Sequence, residues 1–101
     1  MEINVNRDGD VIAVALAGKL DTATAPSLQR AMEEILSGGG AMNVSVDFSA
    51  IEFVSSAGLR VLLLSMKKIA AVKGSLVLKN MRDPVKEVFD MTGFSAILKI
   101  V

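Results

Sequence analysis

Apolar and polar residues alternate near the start of the chain, then recur with a helical period, and this exchange of periods repeats to the end. Ile3 and Val5 alternate with Asn4 and Asn6, Asp8-Gly9-Asp10 has turn chemistry, and Ile12, Val14 and Leu16 share one face of a second strand. Ala13, Ala15 and Ala17 give that strand a small-residue opposite face on which a helix could rest. Leu28, Ala31, Met32, Ile35 and Leu36 then fall at i, i+3, i+4, i+7 and i+8, the stripe of an amphipathic helix. Its start is marked by Asp21-Thr22-Ala23-Thr24-Ala25-Pro26, where Asp and Thr can satisfy free amides and Pro needs no donor. Ser37-Gly38-Gly39-Gly40 ends it as a flexible turn.

Val44, Val46 and Phe48 mark a third strand finishing near Asp47-Phe48-Ser49, with Ala50-Ile51-Glu52-Phe53-Val54 as a connector. A second helix begins at Ser55-Ser56-Ala57-Gly58 and runs to about Val72, where Gly74 closes it. Ser75 to Lys79 is a fourth strand. Asp83-Pro84 reads as an N-cap followed by Pro at the first position of a third helix, with Val85, Val88 and Phe89 on one face and Gly93 as its stop. Ile97 to Val101 makes the last strand. The alternation implies an α/β fold: one domain over residues 1–101, a small mixed sheet of four to five strands with helices packed against it.

The second helix has an irregular outer face. On a helical wheel Leu59, Leu62, Leu63, Met66, Ile69 and Ala70 form the core stripe, and Arg60, Lys67 and Lys68 lie opposite. Leu64 and Ala71 sit among those charges, with Val61 close by. Two readings stay open: a short helix burying slightly more than half its circumference, or an apolar docking patch rimmed by cations. Ser55-Ser56 is similarly two-sided. Ser is a preferred N-cap, worth about 0.5–2 kcal/mol. Either hydroxyl could also accept a phosphate, whose charge of roughly −1.5 to −2 the helix N-terminus would tolerate and a desolvated interface would not.

Composition narrows the chemistry. Within 101 residues there is no Cys and no His, which excludes disulfides, thiolate nucleophiles and a Ser-His-Asp triad. Eleven basic residues balance eleven acidic ones with no basic stripe, and only four residues are aromatic, all Phe, so nucleic acid is not an expected partner. No signal peptide and no membrane-length apolar run occurs, so a cytoplasmic protein without direct membrane insertion is expected. Asp21 and Asp47 read as a cap and a turn-former; two distant acids are a weak metal signal, and Gly58 belongs to no phosphate loop. No metal, cofactor or catalytic residue is expected.

Phe53-Val54-Ser55-Ser56-Ala57-Gly58-Leu59-Arg60-Val61-Leu62-Leu63, following Val46-Asp47-Phe48-Ser49, resembles the signature of STAS domains, the sulfate-transporter and anti-sigma-factor-antagonist family. Gly18-Lys19-Leu20-Asp21 and the segment from Val85 to Phe94 are similar to its other landmarks. The resemblance implies an anti-sigma-factor antagonist: a non-enzymatic, partner-switching regulator of transcription. Unphosphorylated, it would bind an anti-sigma factor that is commonly a serine kinase, releasing the sigma factor. The kinase would end binding by phosphorylating it, and a serine phosphatase would reset it. By motif position Ser56 is the implied acceptor, with Ser55 competing. Asp21, Thr22, Ser55, Ser56, Leu59, Arg60 and Leu64 are the implied partner-binding residues, and Asp47 an acidic position near the same end of the sheet. Ser55 stands where many antagonists carry Asp, and Ala57 where a second hydroxyl is frequent. These departures keep open a phosphorylation-independent STAS subunit of a transport or lipid-trafficking complex. A further C-terminal helix is usual in the family, so the last strand is expected as an exposed edge or one covered by a partner.

Overall fold

A computed structural model describes residues 1–38 and 43–101; Gly39 and Gly40 of the expected triple-glycine turn lie outside the described residues. Strands β1 (Glu2–Asp8) and β2 (Val11–Leu20) form the expected hairpin, followed by α1 (Ala25–Leu36), β3 (Asn43–Val54), α2 (Ser56–Ala71), β4 (Ser75–Lys79), α3 (Asp83–Met91), a 3₁₀ turn (Phe94–Ala96) and β5 (Lys99–Ile100). The sheet order is β1-β2-β3-β4-β5, antiparallel for the first pair and parallel thereafter. Gly9 takes φ 62° at the first position of the two-residue hairpin loop, a conformation that costs glycine little.

The α/β class is as expected, with all three helices on one face. Ile12, Val14, Leu16, Val44, Val46, Phe48, Leu76 and Leu78 are buried on that face against Leu28, Met32, Ile35, Leu59, Leu62, Ile69, Val85 and Phe89. Phe48 and Phe89 meet edge to face, ring centroids 6.0 Å apart. The small-residue face of β2 carries no helix: Ala13 and Ala15 are exposed. Ala13 and Ala15 pair with Ser45 and Asp47, so the reverse side of the sheet offers too little apolar area to hold a helix.

The connector expected at residues 50–54 is strand. Between Ala15 and Ala17, β3 advances from Asp47 to Ala50, and between Gly18 and Lys19 it advances from Ile51 to Phe53. Each step inserts one extra β3 residue, a bulge. Buried positions therefore fall at Phe48, Ile51 and Val54, a spacing of three that hides the strand from a period-two reading. Two further boundaries differ. Arg82, in extended conformation, is the N-cap of α3 and makes Asp83 its first residue, because the Arg82 carbonyl already accepts from Lys86 (2.9 Å). The last strand shrinks to Lys99–Ile100, since the 3₁₀ turn commits the Leu98 N–H to the Phe94 carbonyl (2.8 Å) before any ladder can start.

The wheel of α2 is rotated from the expected stripe. Gly58, Leu59, Val61, Leu62, Ser65 and Ile69 are buried, Leu63 and Met66 are half-buried, and Ala70 is exposed. Ser65 is tolerated inside because its hydroxyl donates to the Val61 carbonyl (2.8 Å). Gly58 fixes this rotation. A Cβ there would stand 2.5 Å from Leu20 Cγ and 3.1 Å from the Leu20 carbonyl oxygen, and Leu20 is itself fully buried. Gly58→Ala is therefore expected to destabilise the protein: overpacking of about 1–3 kcal/mol exceeds the gain in helix propensity, at most roughly 1 kcal/mol. Urea unfolding measures the difference; equal or greater stability in the variant would contradict the tight approach.

Candidate partner-binding and phosphorylation site

Three chain segments meet where α2 leaves the sheet. β2 ends at Leu20, β3 ends beside it at Val54, and the Ser55 N–H donates to the Leu20 carbonyl (2.9 Å). Ser55 is thereby held extended (φ −99°, ψ 172°) as the N-cap, and its own carbonyl receives the Leu59 N–H to close the first turn. Its side chain makes no cap hydrogen bond. The Oγ is buried without a partner among the described residues. Ser56, the first residue of α2, is exposed. The two adjacent hydroxyls thus differ sharply in access: a transferred phosphoryl group can reach Ser56 from solvent, whereas Ser55 would have to turn out of the protein.

Asp21 and Thr22 follow Leu20 directly, so they lie at this same end. The Asp21 carboxylate accepts from the N–H groups of Ala23 (3.0 Å) and Thr24 (3.1 Å), and the Asp21 N–H donates back to the Thr24 hydroxyl (2.9 Å). The backbone N–H of Thr24 is the main reason its pKa lies below the ordinary value of 3.8. Asp21 is not the cap of α1: the helix starts at Ala25 with Thr24 at the N-cap and no side-chain cap bond, and the Asp21 carboxylate holds the turn that precedes it; Thr22 is exposed. Asp47 is not at this end. It pairs with Ala15, while Val54 pairs with Leu20, which puts Asp47 about 20 Å upstream along the strand. There its carboxylate accepts the Ser49 N–H (2.8 Å) beside the first bulge, and this bond chiefly lowers its pKa.

On α2, Arg60 is exposed and Leu64 is 43 % exposed, whereas Val61 is buried and contributes nothing to the outer face. Leu59 is only 2 % exposed. Its place in the core stripe holds, and it supports the helix instead of offering a contact. A residue the sequence reading did not single out is Phe53, 49 % exposed immediately before the turn into α2. The apolar run Phe53-Val54 suggested no direction for its ring without knowledge of the bulges. Among the described residues no group of three or more acidic side chains could hold a metal ion, and no helix is long and apolar enough to cross a membrane.

The family model described as the STAS domain matches residues 2–101. The chain belongs to the STAS family. This STAS domain is 31% identical over 94 residues to the anti-sigma-B factor antagonist of Listeria monocytogenes, covering 93% of this chain and 82% of that one. Among solved structures it is similar to an anti-sigma factor antagonist from Mycobacterium paratuberculosis, with 25% identity, a TM-score of 0.86, and coverage of 98% of this chain and 83% of the other. It shares its fold with the phosphorylated form of the Bacillus cell fate determinant SpoIIAA: TM-score 0.76, 19% identity, 99% and 91% covered.

The orphaned hydroxyl at the STAS helix start makes a specific prediction. Losing an N-cap Ser usually costs about 1 kcal/mol. Here Ser55→Ala removes no hydrogen bond and relieves a buried unpaired group, so stability is expected to change by less than about 0.5 kcal/mol. A loss above 1 kcal/mol in urea unfolding would mean that the hydroxyl is partnered in solution. The two depressed carboxyls predict pH dependence. Because folding lowers both pKa values, their charged forms stabilise the native state above about pH 4, and this contribution fades as pH falls through the depressed values. Asp47→Asn should accordingly flatten the acid limb of stability below about pH 4 relative to the unsubstituted protein. Parallel limbs would contradict the assignment.

Proposed function

We propose that this STAS domain is an anti-sigma-factor antagonist whose partner binding is gated by phosphate on Ser56. Unmodified, it docks through the start and outer face of α2 onto an anti-sigma factor that is also a serine kinase, and the sigma factor is released. Transfer of a phosphoryl group to the Ser56 hydroxyl ends the binding, and a serine phosphatase restores it. The observation that carries this reading is the exposure of Ser56 at the first position of α2, beside a Ser55 hydroxyl turned inward. The likeness to relatives named as anti-sigma factor antagonists supports it.

The energetics are lopsided in the way a switch requires. At Ser56 the phosphate meets the positive end of the helix dipole, worth about 0.3–1 kcal/mol to the folded state. Across a desolvated interface the same roughly −1.5 to −2 charge is opposed by burial costs of several kcal/mol. The fold therefore survives a modification that the complex does not. In this reading Asp21 and Thr22, which follow Leu20 at the same end of the sheet, and Arg60, one turn along α2, form a polar rim, and Leu64 supplies apolar contact farther along the helix. Leu59, buried, acts only by holding α2 in place.

Incubation with the purified anti-sigma factor and ATP, followed by mass spectrometry, should place phosphate on Ser56 and none on Ser55; Ser56→Ala should remain unmodified. Ser56→Asp should weaken binding to the anti-sigma factor by about 100-fold or more with little change in melting temperature. Unchanged affinity in Ser56→Asp would argue against gating. Leu64→Arg should reduce binding with unaltered circular dichroism, and a loss of helicity instead would mean that Leu64 is structural.

A further inference from the structure

The charged residues of α2 are Arg60, Lys67 and Lys68, and the helix contains no Asp or Glu. Arg60 therefore has no anionic neighbour three or four residues away on its own helix, the spacing at which helical side chains meet. What stands four residues before it is Ser56, and both are exposed. At that spacing their Cβ atoms are about 5–6 Å apart. Helical side chains lean toward the N-terminus, so Arg60 lies over the turn that Ser56 begins. Other cations are poorly placed. Lys67 is eleven residues along from Ser56, about 16 Å of helix. Lys19 pairs with Phe53 beside the buried Leu20 and Val54, so it lies on the bare face of the sheet, away from the helices. Asp21, at the same end of the sheet, has its carboxylate committed to the N–H groups of Ala23 and Thr24.

From this spacing we infer that Arg60 is an internal clamp for the phosphate on Ser56: its guanidinium pairs with the phosphoryl oxygens along the same helix face. The inference rests on the phosphorylation reading and adds what holds the group once it is attached. A phosphoserine carries roughly −1.5 to −2 charges on three strong acceptor oxygens. A guanidinium is always charged and presents its N–H groups as a planar fork that meets two such oxygens at once. The order along the chain is the favourable one, with the anion N-terminal to the cation. Phosphorylation then changes the docking surface twice. It adds an anion at Ser56, and it withdraws the one cation in the first two turns of α2. The local charge passes from positive to about −1. The carboxylate of Ser56→Asp has a shorter arm and lacks the third oxygen, so it engages Arg60 less well than phosphate does.

Phosphoserine installed at residue 56 during translation gives the modified protein without a kinase, and phosphorus NMR titration then reads the clamp. At low salt the phosphate should titrate about half a pH unit or more below that in Arg60→Ala, because a neighbouring cation favours its doubly charged form. Arg60→Lys, with a point charge in place of the fork, should fall between them. Lys67→Ala should titrate as the otherwise unsubstituted protein does. The difference between Arg60 and Arg60→Ala should shrink in about 1 M NaCl, where charges are screened beyond about 3 Å. Equal titration with and without Arg60 would overturn the clamp and leave phosphate gating standing. Gating is read separately, by calorimetry against the purified anti-sigma factor. If the phosphorylated protein binds it as tightly as the unmodified one, the partner-switching reading falls, and the clamp loses its regulatory role with it.

Discussion

The close approach of Gly58 to Leu20 is the constraint on which the rest of the structure turns. No side chain separates the first turn of α2 from the end of β2, and the Ser55 N–H reaches the Leu20 carbonyl across the same gap. With the helix start fixed in position, its rotation follows. Gly58, Val61, Leu62, Ser65 and Ile69 face inward, and Arg60, Leu64, Lys67 and Lys68 face outward. The pair of serines ahead of it is sorted by the same contact, one hydroxyl inward and one outward. A larger residue at 58 would lift the helix start and blur that distinction.

The proposed switch needs no conformational change to work. The chemistry is confined to an exposed hydroxyl at a helix terminus, where backbone amides favour an anion. The exposed apolar group on the same outer face of the helix is Leu64, held there by the rotation of α2. Adding charge at that point alters the desolvation of a shared surface and leaves the core untouched. On the proposed function, binding energy is controlled locally, by electrostatics against apolar burial.

Much of the fold was legible because its periods were clean. The hairpin, α1 and β4 follow from alternation, from a stripe at i, i+3 and i+4, and from turn residues at their ends. What escaped were features set by contacts between distant segments. The bulges of β3 answer to β2 and break the alternation at Phe48, Ile51 and Val54, so a strand looked like a connector. The rotation of α2 depends on Leu20, which no helical wheel contains, so Ala70 was placed in the core stripe and Val61 beside the charged face, whereas Ala70 is exposed and Val61 buried. The alanine face of β2 resembled a helix seat, but its neighbours Ser45 and Asp47 are polar and it stays bare. At the candidate site, the serine pair was legible as a helix start, whereas Asp21, expected as a cap, holds the turn ahead of α1. Phe53 was not legible as a surface group, since its direction is decided by one extra residue in a strand pairing. Asp47 was placed too near the site for the same reason: two bulges and a longer strand carry it away.

The central claim is that phosphate on Ser56 abolishes docking while the fold stays intact, and amide NMR spectra of the unmodified and Ser56-phosphorylated protein, each alone and with the anti-sigma factor, test it most directly. The account predicts phosphate-induced shift changes confined to residues near 53–60 and 20–24, and partner-induced broadening in the unmodified sample only. Shift changes spread through the buried strands, or equal broadening in both samples, would contradict it.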